Sequence, residues 1–334
     1  MAIKTKLLLT IILCFTALHC QPAQKADFLL VIFAPGDAVL VREGARLELK
    51  TGMVLKQADS IETGQNPVDL QNSYGGSIRL GARTLFSVQS LLEKGTQVRL
   101  GQGSLLARLR KGEKDQRFSV VTPTAIAGVR GTTFKVEVDS EGASELRVLE
   151  GSVAFSPQVE AVPALSADLA AQETVVEGPA AASLTPAALI ELARVRSAAQ
   201  KGEKVQLQLV GASVIIEKRP LSKQEELEAR TLVAVDASLA REARQKEGEK
   251  AAEIASAYEA RVDQAVEAMK KDAPVLSEAE LQKEYATLET AVMRSGEQKK
   301  GVTVAQAGST LIMHTPAGII RLAIRDIEYI DLNY

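Results

Sequence analysis

The sequence has 334 residues, 46% of them hydrophobic, which is enough for about two domains with substantial cores. Lys and Arg (40) nearly balance Asp and Glu (42), so the basic surplus expected of a nucleic-acid binder is absent and no nucleic-acid partner is expected. Aromatic residues are only 4% of the chain and Trp is absent, which argues against an aromatic platform for sugars or bases.

The cysteines and histidines exclude two further kinds of site. Both cysteines, Cys14 and Cys20, lie near the N-terminus, so a disulfide framework is excluded for the folded part. With His19 and His314 as the only histidines, a Cys/His zinc site cannot be assembled. We therefore expect no metal site and no cofactor.

The N-terminus has the pattern of a secretory signal peptide. Two lysines lie within Met1 to Lys6, and the apolar run from Leu7 to Leu18 carries no charge and is short for a membrane span. A single cysteine, Cys20, follows, and polar residues come after it. We predict a signal peptide over residues 1–19 and a lipidated N-terminus and tether over residues 20–27.

The lipidation prediction rests on Cys20. The order of charge, apolar run and boundary cysteine resembles a lipoprotein signal, although Ala17 and His19 replace the usual lipobox residues and Leu18 lies one position late. The alternatives are an ordinary cleaved signal with an incidental cysteine and, less favoured, an uncleaved anchor. Because no good Ala-x-Ala site follows, we favour lipidation, which would make the membrane a partner through the lipid.

Residues 28–160 read as an all-β domain, either a β-sandwich or a β-coil. Short apolar stretches are punctuated by glycines, mostly at the spacing typical of such folds. Apolar and polar residues alternate in Leu47–Lys50 and in Phe134–Val138. A β-hairpin that turns at Gly151 is predicted from Leu146–Val148 and Val153–Phe155. We predict solvent-exposed positions on strand faces for Arg79, Arg83 and Arg99.

Three stretches of this half carry recognisable motifs. They are Ala58–Gly64, Val121–Phe134 and Val148–Val153. In this order they resemble the signature of the FecR domain family, with Ala58 where glycine is usual, and the resemblance covers about residues 33–155. The matching residues are Thr122, Pro123, Gly128, Val129, Arg130, Gly131, Thr132, Phe134, Glu150 and Gly151.

The signature residues have a physical interpretation of their own. Pro123 pushes Thr122 into an extended conformation, so the strand from Phe118 must end there or lie at a sheet edge there. Gly128 and Gly131 flank Arg130 and offer the backbone freedom of a tight corner. Arg130 could bind a carboxylate or phosphate with both arms of its guanidinium. We favour a structural role, in which Arg130 pins the corner by bonding carbonyls or by pairing with a carboxylate such as Glu150.

The FecR resemblance implies an extracytoplasmic binding or signal-relay module. The founding type has a cytoplasmic segment and a true transmembrane helix, whereas here the apolar run is signal-like, a layout found in FecR-domain lipoproteins of spirochaetes. We expect a non-enzymatic cell-envelope lipoprotein, on the periplasmic or surface side of the outer membrane, that binds or scaffolds another envelope protein or polymer. The alternatives are a signal-relay component coupled to a sensor or sigma factor and, less favoured, an enzyme acting on envelope polymers. No catalytic residues stand out.

An Ala-rich linker with a short helix and two strands is predicted over residues 161–220, with Pro163–Glu177 as a candidate last strand of the β domain. The two strands are Val205–Leu209 and Val214–Ile216, and the short helix starts at Thr185-Pro186.

A helical region is predicted over residues 221–296. It contains one long pattern from Leu221 to about Asp272 and a second helix from Ser277. The second helix would carry Leu281, Tyr285, Leu288 and Val292 on one face. We favour a helical hairpin packing on itself; an oligomerisation or partner-docking arm of coiled-coil type is the alternative.

Residues 297–334 read as a small antiparallel β unit, which makes the whole chain α+β. Strand-length apolar stretches are separated by Gly308 and by Pro316–Gly318. His314 has no second candidate ligand nearby, so it reads as a structural or surface residue and not as a metal ligand.

Overall fold

The structure, a computed structural model, describes residues 27–92, 95–110, 117–158, 174–186, 215–217 and 220–333. The strands of the N-terminal part are β1 Leu29–Phe33, β2 Val39–Arg42, β3 Ala45–Glu48, β4 Val54–Leu55, β5 Ser60–Glu62, β6 Val68–Asn72, β7 Ser77–Leu80, β8 Leu85–Leu92, β9 Gly95–Arg108, β10 Arg117–Val121, β11 Ala125–Val129, β12 Thr133–Val138, β13 Ser144–Glu150, β14 Ser152–Pro157, β15 Thr174–Glu177, β16 Ala180–Leu184 and β17 Ile215–Glu217.

These strands form two sheets that share one long strand. Sheet A has the order β4-β1-β6-β7-β9-β12-β13-β16-β17. Sheet B has the order β3-β2-β5-β8-β9-β10-β11-β14-β15. Strand β9 passes from sheet B to sheet A at Gly103, which has a φ of +92° and whose Cβ would lie 2.3 Å from Thr84 Oγ1. Only glycine fits at this bend.

The core of this β-sandwich lies between the two sheets. Alternate residues of most strands point into it, as Phe134, Val136 and Val138 do on β12. The predicted all-β domain is therefore confirmed.

Four helices follow in the described residues: α1 Lys223–Arg230, α2 Ala237–Gln245, α3 Ala251–Asp272 and α4 Glu278–Tyr285. Helices α1 and α4 each begin with a capping box, at Ser222 and at Ser277, and α4 starts where the second helix was predicted. The long pattern from Leu221 is broken twice, by residues 231–236 and near Gly248, whose φ is +85°. None of the described helices is long and apolar enough to cross a bilayer.

The helices do not form the self-packed hairpin that we favoured from the sequence. The stripe of α3, from Ile254 through Tyr258 to Met269, shares a core with Phe28, Leu30 and Ile32 at the start of the β-sandwich. It also contacts the C-terminal sheet through Val304 and Ile312. The stripe is buried within the chain and is not a free arm.

Strand β1 belongs to two cores at once. Leu29 and Val31 point between the sheets, whereas Leu30 and Ile32 point toward the helices. This alternation follows from the two-residue period of a strand, and all four side chains are apolar because neither face of β1 reaches solvent.

The second predicted helix is shorter than expected. Helix α4 stops at Tyr285, and Ala286 has a left-handed φ of 55°. Leu288 and Val292 lie in a strand, β18 Leu288–Met293, so the predicted helical face of four residues is wrong in its second half. The β unit therefore starts at Leu288 and not at residue 297.

The Ala-rich segment also differs from the prediction. Strands β15 and β16 lie where a linker was expected and pair with β14 and β13. The candidate last strand is present from Thr174 to Glu177. Strand β17 overlaps the second predicted linker strand, while the first, Val205–Leu209, and the body of the short helix lie outside the described residues.

The C-terminal unit is the expected small antiparallel sheet. It adds β19 Gln298–Ala307, β20 Thr310–Thr315, β21 Gly318–Ala323 and β22 Ile327–Asn333 to β18. The order is β22-β18-β19-β20-β21, and the sheet curls around its own core, which includes Met293, Met313 and Leu322.

Candidate functional site

The central FecR-like motif forms a corner that carries the chain from sheet B to sheet A. Strand β11 ends at Val129, Gly131 takes a φ of +65°, and β12 begins at Thr133. Thr132 is buried, and its hydroxyl donates to the carbonyl of Ser152 at 2.9 Å. Val129 and Phe134 lie in the core on either side of the corner.

Gly128 is not part of this corner. It lies inside β11, opposite Ser119 of β10 and Ala154 of β14. The prediction that Gly128 supplies turn freedom is therefore wrong, and Gly131 alone does so.

The motif around Gly151 forms a second corner of the same kind. Strand β13 pairs with β12 and β16 in sheet A, whereas β14 pairs with β11 and β15 in sheet B, so the predicted hairpin is an arch between sheets. Gly151 has a φ of +90°, and its Cβ would lie 3.1 Å from Thr132 Oγ1 of the first corner. Its carbonyl accepts from the N–H of Gly178, which leads into β16. The corners are thus stacked and bonded to one another.

Pro123 occupies the opposite end of the sandwich, in the turn between β10 and β11. Thr122 is fully buried, and its hydroxyl accepts from the N–H of Ala125 at 2.9 Å and from the hydroxyl of Ser144 at 2.7 Å. Thr124 adds a bond to the carbonyl of Leu184 at 3.1 Å. These hydroxyls tie sheet B to sheet A and bond to one another and to carbonyls, with no general base in the cluster.

Arg130 is exposed at the first corner. Among the described residues it has no ion pair and no side-chain hydrogen bond, so the predicted pairing with Glu150 is not seen there. It lines a cavity together with Arg110, two residues after the end of β9, and Arg117, at the start of β10. The exposed guanidinium is free to meet a ligand.

A larger cavity adjoins this one. It has a volume of about 480 Å³, and both cavities are lined by Tyr74 and Arg110. We call the two together the arginine cleft. Its arginines are Arg108, Arg110, Arg117, Arg130, Arg230 and Arg261.

Three of these arginines are already engaged, and one of them, Arg261, donates to Gln264 Oε1 at 3.3 Å. Arg108 donates to the carbonyl of Ala229 at 2.7 Å, and burial lowers its pKa while the charge of Glu150 partly offsets that effect. Arg230 pairs with Glu226 and Asp272.

The acidic residues that line the cleft do not neutralise it. Asp236 caps helix α2 by accepting from the N–H of Ser238 at 2.7 Å. Asp27 is buried and accepts from the hydroxyls of Ser73 and Thr96. Six arginines thus line the cleft against two described acidic residues, on a chain whose net charge is -2.

The arginines of the cleft come from β9, β10, the corner after β11 and the helices. They come from separate elements of the structure, and no motif links Arg110, Arg117 and Arg261. The sequence pointed only to Arg130, because it lies within the FecR-like signature.

A buried ion pair holds the helices on sheet A. Arg79 Nε donates to Asp69 Oδ1 and Nη2 donates to Asp69 Oδ2, both at 2.7 Å. Arg79 also donates to the hydroxyl of Thr231 at 2.6 Å, and the hydroxyl of Tyr258 donates to Asp69. Arg79 is 4% exposed, so its interpretation as a solvated residue is wrong, whereas Arg83 is exposed but lies in the turn between β7 and β8 and not on a strand face.

The electrostatics of this pair follow from its burial. Burial alone would lower the pKa of Arg79, but the charge and hydrogen bonds of Asp69 outweigh that effect and raise it. Burial, followed by the charge of Asp69, raises the pKa of Tyr258 well above its ordinary value.

Further polar contacts continue this interface. Gln71 donates to the carbonyl of Val235 at 3.2 Å and accepts from its N–H at 2.7 Å, as a neighbouring strand would. Ser77 donates to the carbonyl of Val233 at 2.7 Å. The segment between α1 and α2 is thereby fixed where it forms one wall of the arginine cleft.

His314 is buried and structural. Its Nε2 faces the carbonyl of Pro274 at 3.0 Å, so Nε2 carries the proton, and Nδ1 accepts from the hydroxyl of Tyr285 at 2.8 Å. Over the described residues, no cluster of His, Cys, Asp and Glu could hold a metal ion. Cys20 and the whole predicted signal lie outside the described residues.

Comparison with known proteins agrees with the motifs. No curated protein matches this sequence. Two crystal structures of a protein from Parabacteroides distasonis ATCC 8503, provisionally described as an anti-sigma factor, match with 12% identity and a TM-score of 0.33. The match covers 48% of this chain and 60% of that one, and a similarity this weak establishes neither a shared fold nor a shared function. Residues 59–154, which include both corners and Arg130, match the family described as FecR protein, and the chain therefore carries a FecR domain.

Proposed function

We propose that this chain is a non-enzymatic signal-relay protein of the cell envelope that acts by binding a partner, and that lipid on Cys20 holds it at the membrane. The observation that carries the proposal is the FecR match over residues 59–154. A relay of this kind needs a docking surface and no reaction centre. The sandwich offers such a surface at its stacked corners, where Arg130 is exposed.

The architecture supports relay by contact. The FecR domain is joined to the helices by buried polar bonds and by the two-faced strand β1, so a force or ligand at the corners acts on one packed unit. The second candidate function is that of a scaffold with no signalling role. A scaffold would depend on the same rigid packing of the FecR domain against the helices.

Transcript levels distinguish a signal-relay function from a scaffold function. We would delete the gene, complement it with the full chain, and sequence the transcripts of all three strains. A relay predicts that a defined set of genes changes on deletion and returns on complementation. Unchanged transcription together with new sensitivity of the envelope to detergent would overturn the relay and favour the scaffold.

The tether is tested by mass. We expect the mature protein, extracted from envelopes in detergent, to begin at Cys20 and to carry a diacylglycerol, because a bacterial lipoprotein needs more than one acyl chain for stable attachment. The Cys20→Ala variant should lose both the added mass and membrane partitioning. An unmodified mature N-terminus in the natural chain would exclude the anchor.

A further inference from the structure

Among the described residues, no acidic side chain relieves the repulsion between two exposed arginines of the arginine cleft. Strands β10 and β11 are antiparallel, and their register ends with Phe118 opposite Val129, so Arg117 and Arg130 are the next residues on the two sides of that pair. Like charges directly across a sheet are destabilising. Both side chains are exposed, and neither has an acidic partner within the described part of the chain. An anion between them would remove the repulsion.

The cleft extends well past this pair. Arg110 lies at the junction of the two cavities, with its Nη1 3.7 Å from the position that a Cβ on Gly75 would take. The larger cavity continues from there to Arg261 on α3. The described positive groups of the lining are arginines and include no lysine, and the guanidinium fork suits bidentate binding of carboxylates.

We propose that the arginine cleft binds an extended acidic segment of a protein partner, whose carboxylates pair with Arg117, Arg130 and Arg110 in turn. The inference rests on the proposed relay by contact and names the chemistry of its partner. Several guanidiniums that line two adjoining cavities match a chain of carboxylates better than they match one compact anion. The conformational entropy lost when such a segment becomes ordered is offset because each carboxylate meets a guanidinium that is already in position.

The test is fluorescence anisotropy with a fluorescein-labelled octaglutamate probe and the full chain in a non-ionic detergent. We expect saturable binding that weakens as salt rises, and no binding of labelled octaglutamine. The double variant Arg117→Gln/Arg130→Gln should bind at least about tenfold more weakly, the loss expected for charged hydrogen bonds. Because the substitution removes a repulsion, its urea midpoint should equal or exceed that of the natural chain.

The matched control removes the same charge elsewhere. Arg83 and Arg325 are exposed and lie outside the cleft lining, so Arg83→Gln/Arg325→Gln should leave octaglutamate affinity within about twofold. If the Arg117/Arg130 variant fails to fold, Arg110→Glu reverses one exposed charge in the cleft and should weaken binding in the same way. Equal affinity of the cleft and control variants would overturn the proposal.

Competing ligands identify other occupants. If octaglutamate fails but phosphatidylglycerol vesicles bind through Arg117 and Arg130, the cleft is a lipid-headgroup site and the acidic-segment proposal is wrong. Octaglutamate binding in a chain whose deletion changes no transcripts would preserve the site and overturn the relay. The two proposals therefore fail separately.

Discussion

At the residue scale, the buried pair of Asp69 and Arg79 is the most demanding feature of the chain. Two charges removed from water are stable only when every hydrogen bond is made, and here Thr231 and Tyr258 complete the set. These partners come from the helices, so the pair is satisfied only when the helices are docked. The ion pair therefore sets the position of the helices more than it adds stability.

Removing one partner of the ion pair should lower the free energy of unfolding far more than replacing both. Asp69→Ala leaves the Arg79 charge buried and should lower the free energy of unfolding by about 3–5 kcal/mol. Asp69→Leu/Arg79→Met replaces both charges with apolar side chains and should cost much less. Urea unfolding of the three proteins measures the difference; a double variant as unstable as Asp69→Ala would contradict this account.

Tyr258 gives the interface a dependence on high pH. Its pKa is raised in the folded state by burial and then by the charge of Asp69. The pKa of a tyrosine in the unfolded chain is about 10. Below that pH its contribution is complete. As the pH rises above about 10, the unfolded state releases the proton first, so the free energy of unfolding falls, with a limit of about 1.4 kcal/mol per pH unit.

Urea unfolding at pH 9 and pH 11 checks this dependence. Tyr258→Phe should remove part of the loss between the two pH values. Burial raises the pKa of Tyr285 to about 12, so this residue should still contribute to the loss of stability at high pH in the variant. If Tyr258→Phe loses as much stability as the natural chain over this interval, Tyr258 does not titrate as stated.

At the element scale, the stacked corners decide the architecture of the FecR domain. A strand that turned back as a hairpin at Gly151 would stay in its own sheet. Instead the left-handed glycines at 131 and 151 send each strand to the opposite sheet, and Thr132 bonds one corner to the next. The sandwich is closed at this end by backbone geometry, and the closure places Arg130 at its surface.

Gly151→Ala tests the corner. The left-handed backbone and the approach of 3.1 Å to Thr132 both oppose a Cβ, so we expect a loss of about 1–3 kcal/mol. Gly36→Ala is the control, because a Cβ there meets no atom within 4 Å and the backbone is not left-handed. Similar urea midpoints for the two variants would show that the corner tolerates a side chain.

At the scale of the whole molecule, β1 joins the sandwich to the helices and the C-terminal sheet. Its inner face completes one core and its outer face another, so neither core is whole without this strand. We therefore expect the described parts to unfold together and not as separate domains.

Leu30→Ala tests that coupling. Leu30 is fully buried against the helices, and its truncation should cost about 2–5 kcal/mol. Hydrogen exchange should show protection lost together in α3 and in β6, the neighbour of β1. Leu29→Ala, on the inner face, is the matched comparison and should give the same pattern. Loss confined to α3 would show that the helical part opens independently.

The sequence by itself determined the local features of this protein. Motif spacing identified the FecR domain, alternation identified β strands, and Ser277 marked the start of the second helix, because each depends on residues close in the chain. Only the tertiary structure decided that Arg79 is buried, that the Gly151 turn is an arch, that Leu288 and Val292 belong to a strand, and that six dispersed arginines form one cleft. These depend on contacts between residues distant in the sequence, such as Arg79 with Thr231, and no local pattern encodes them.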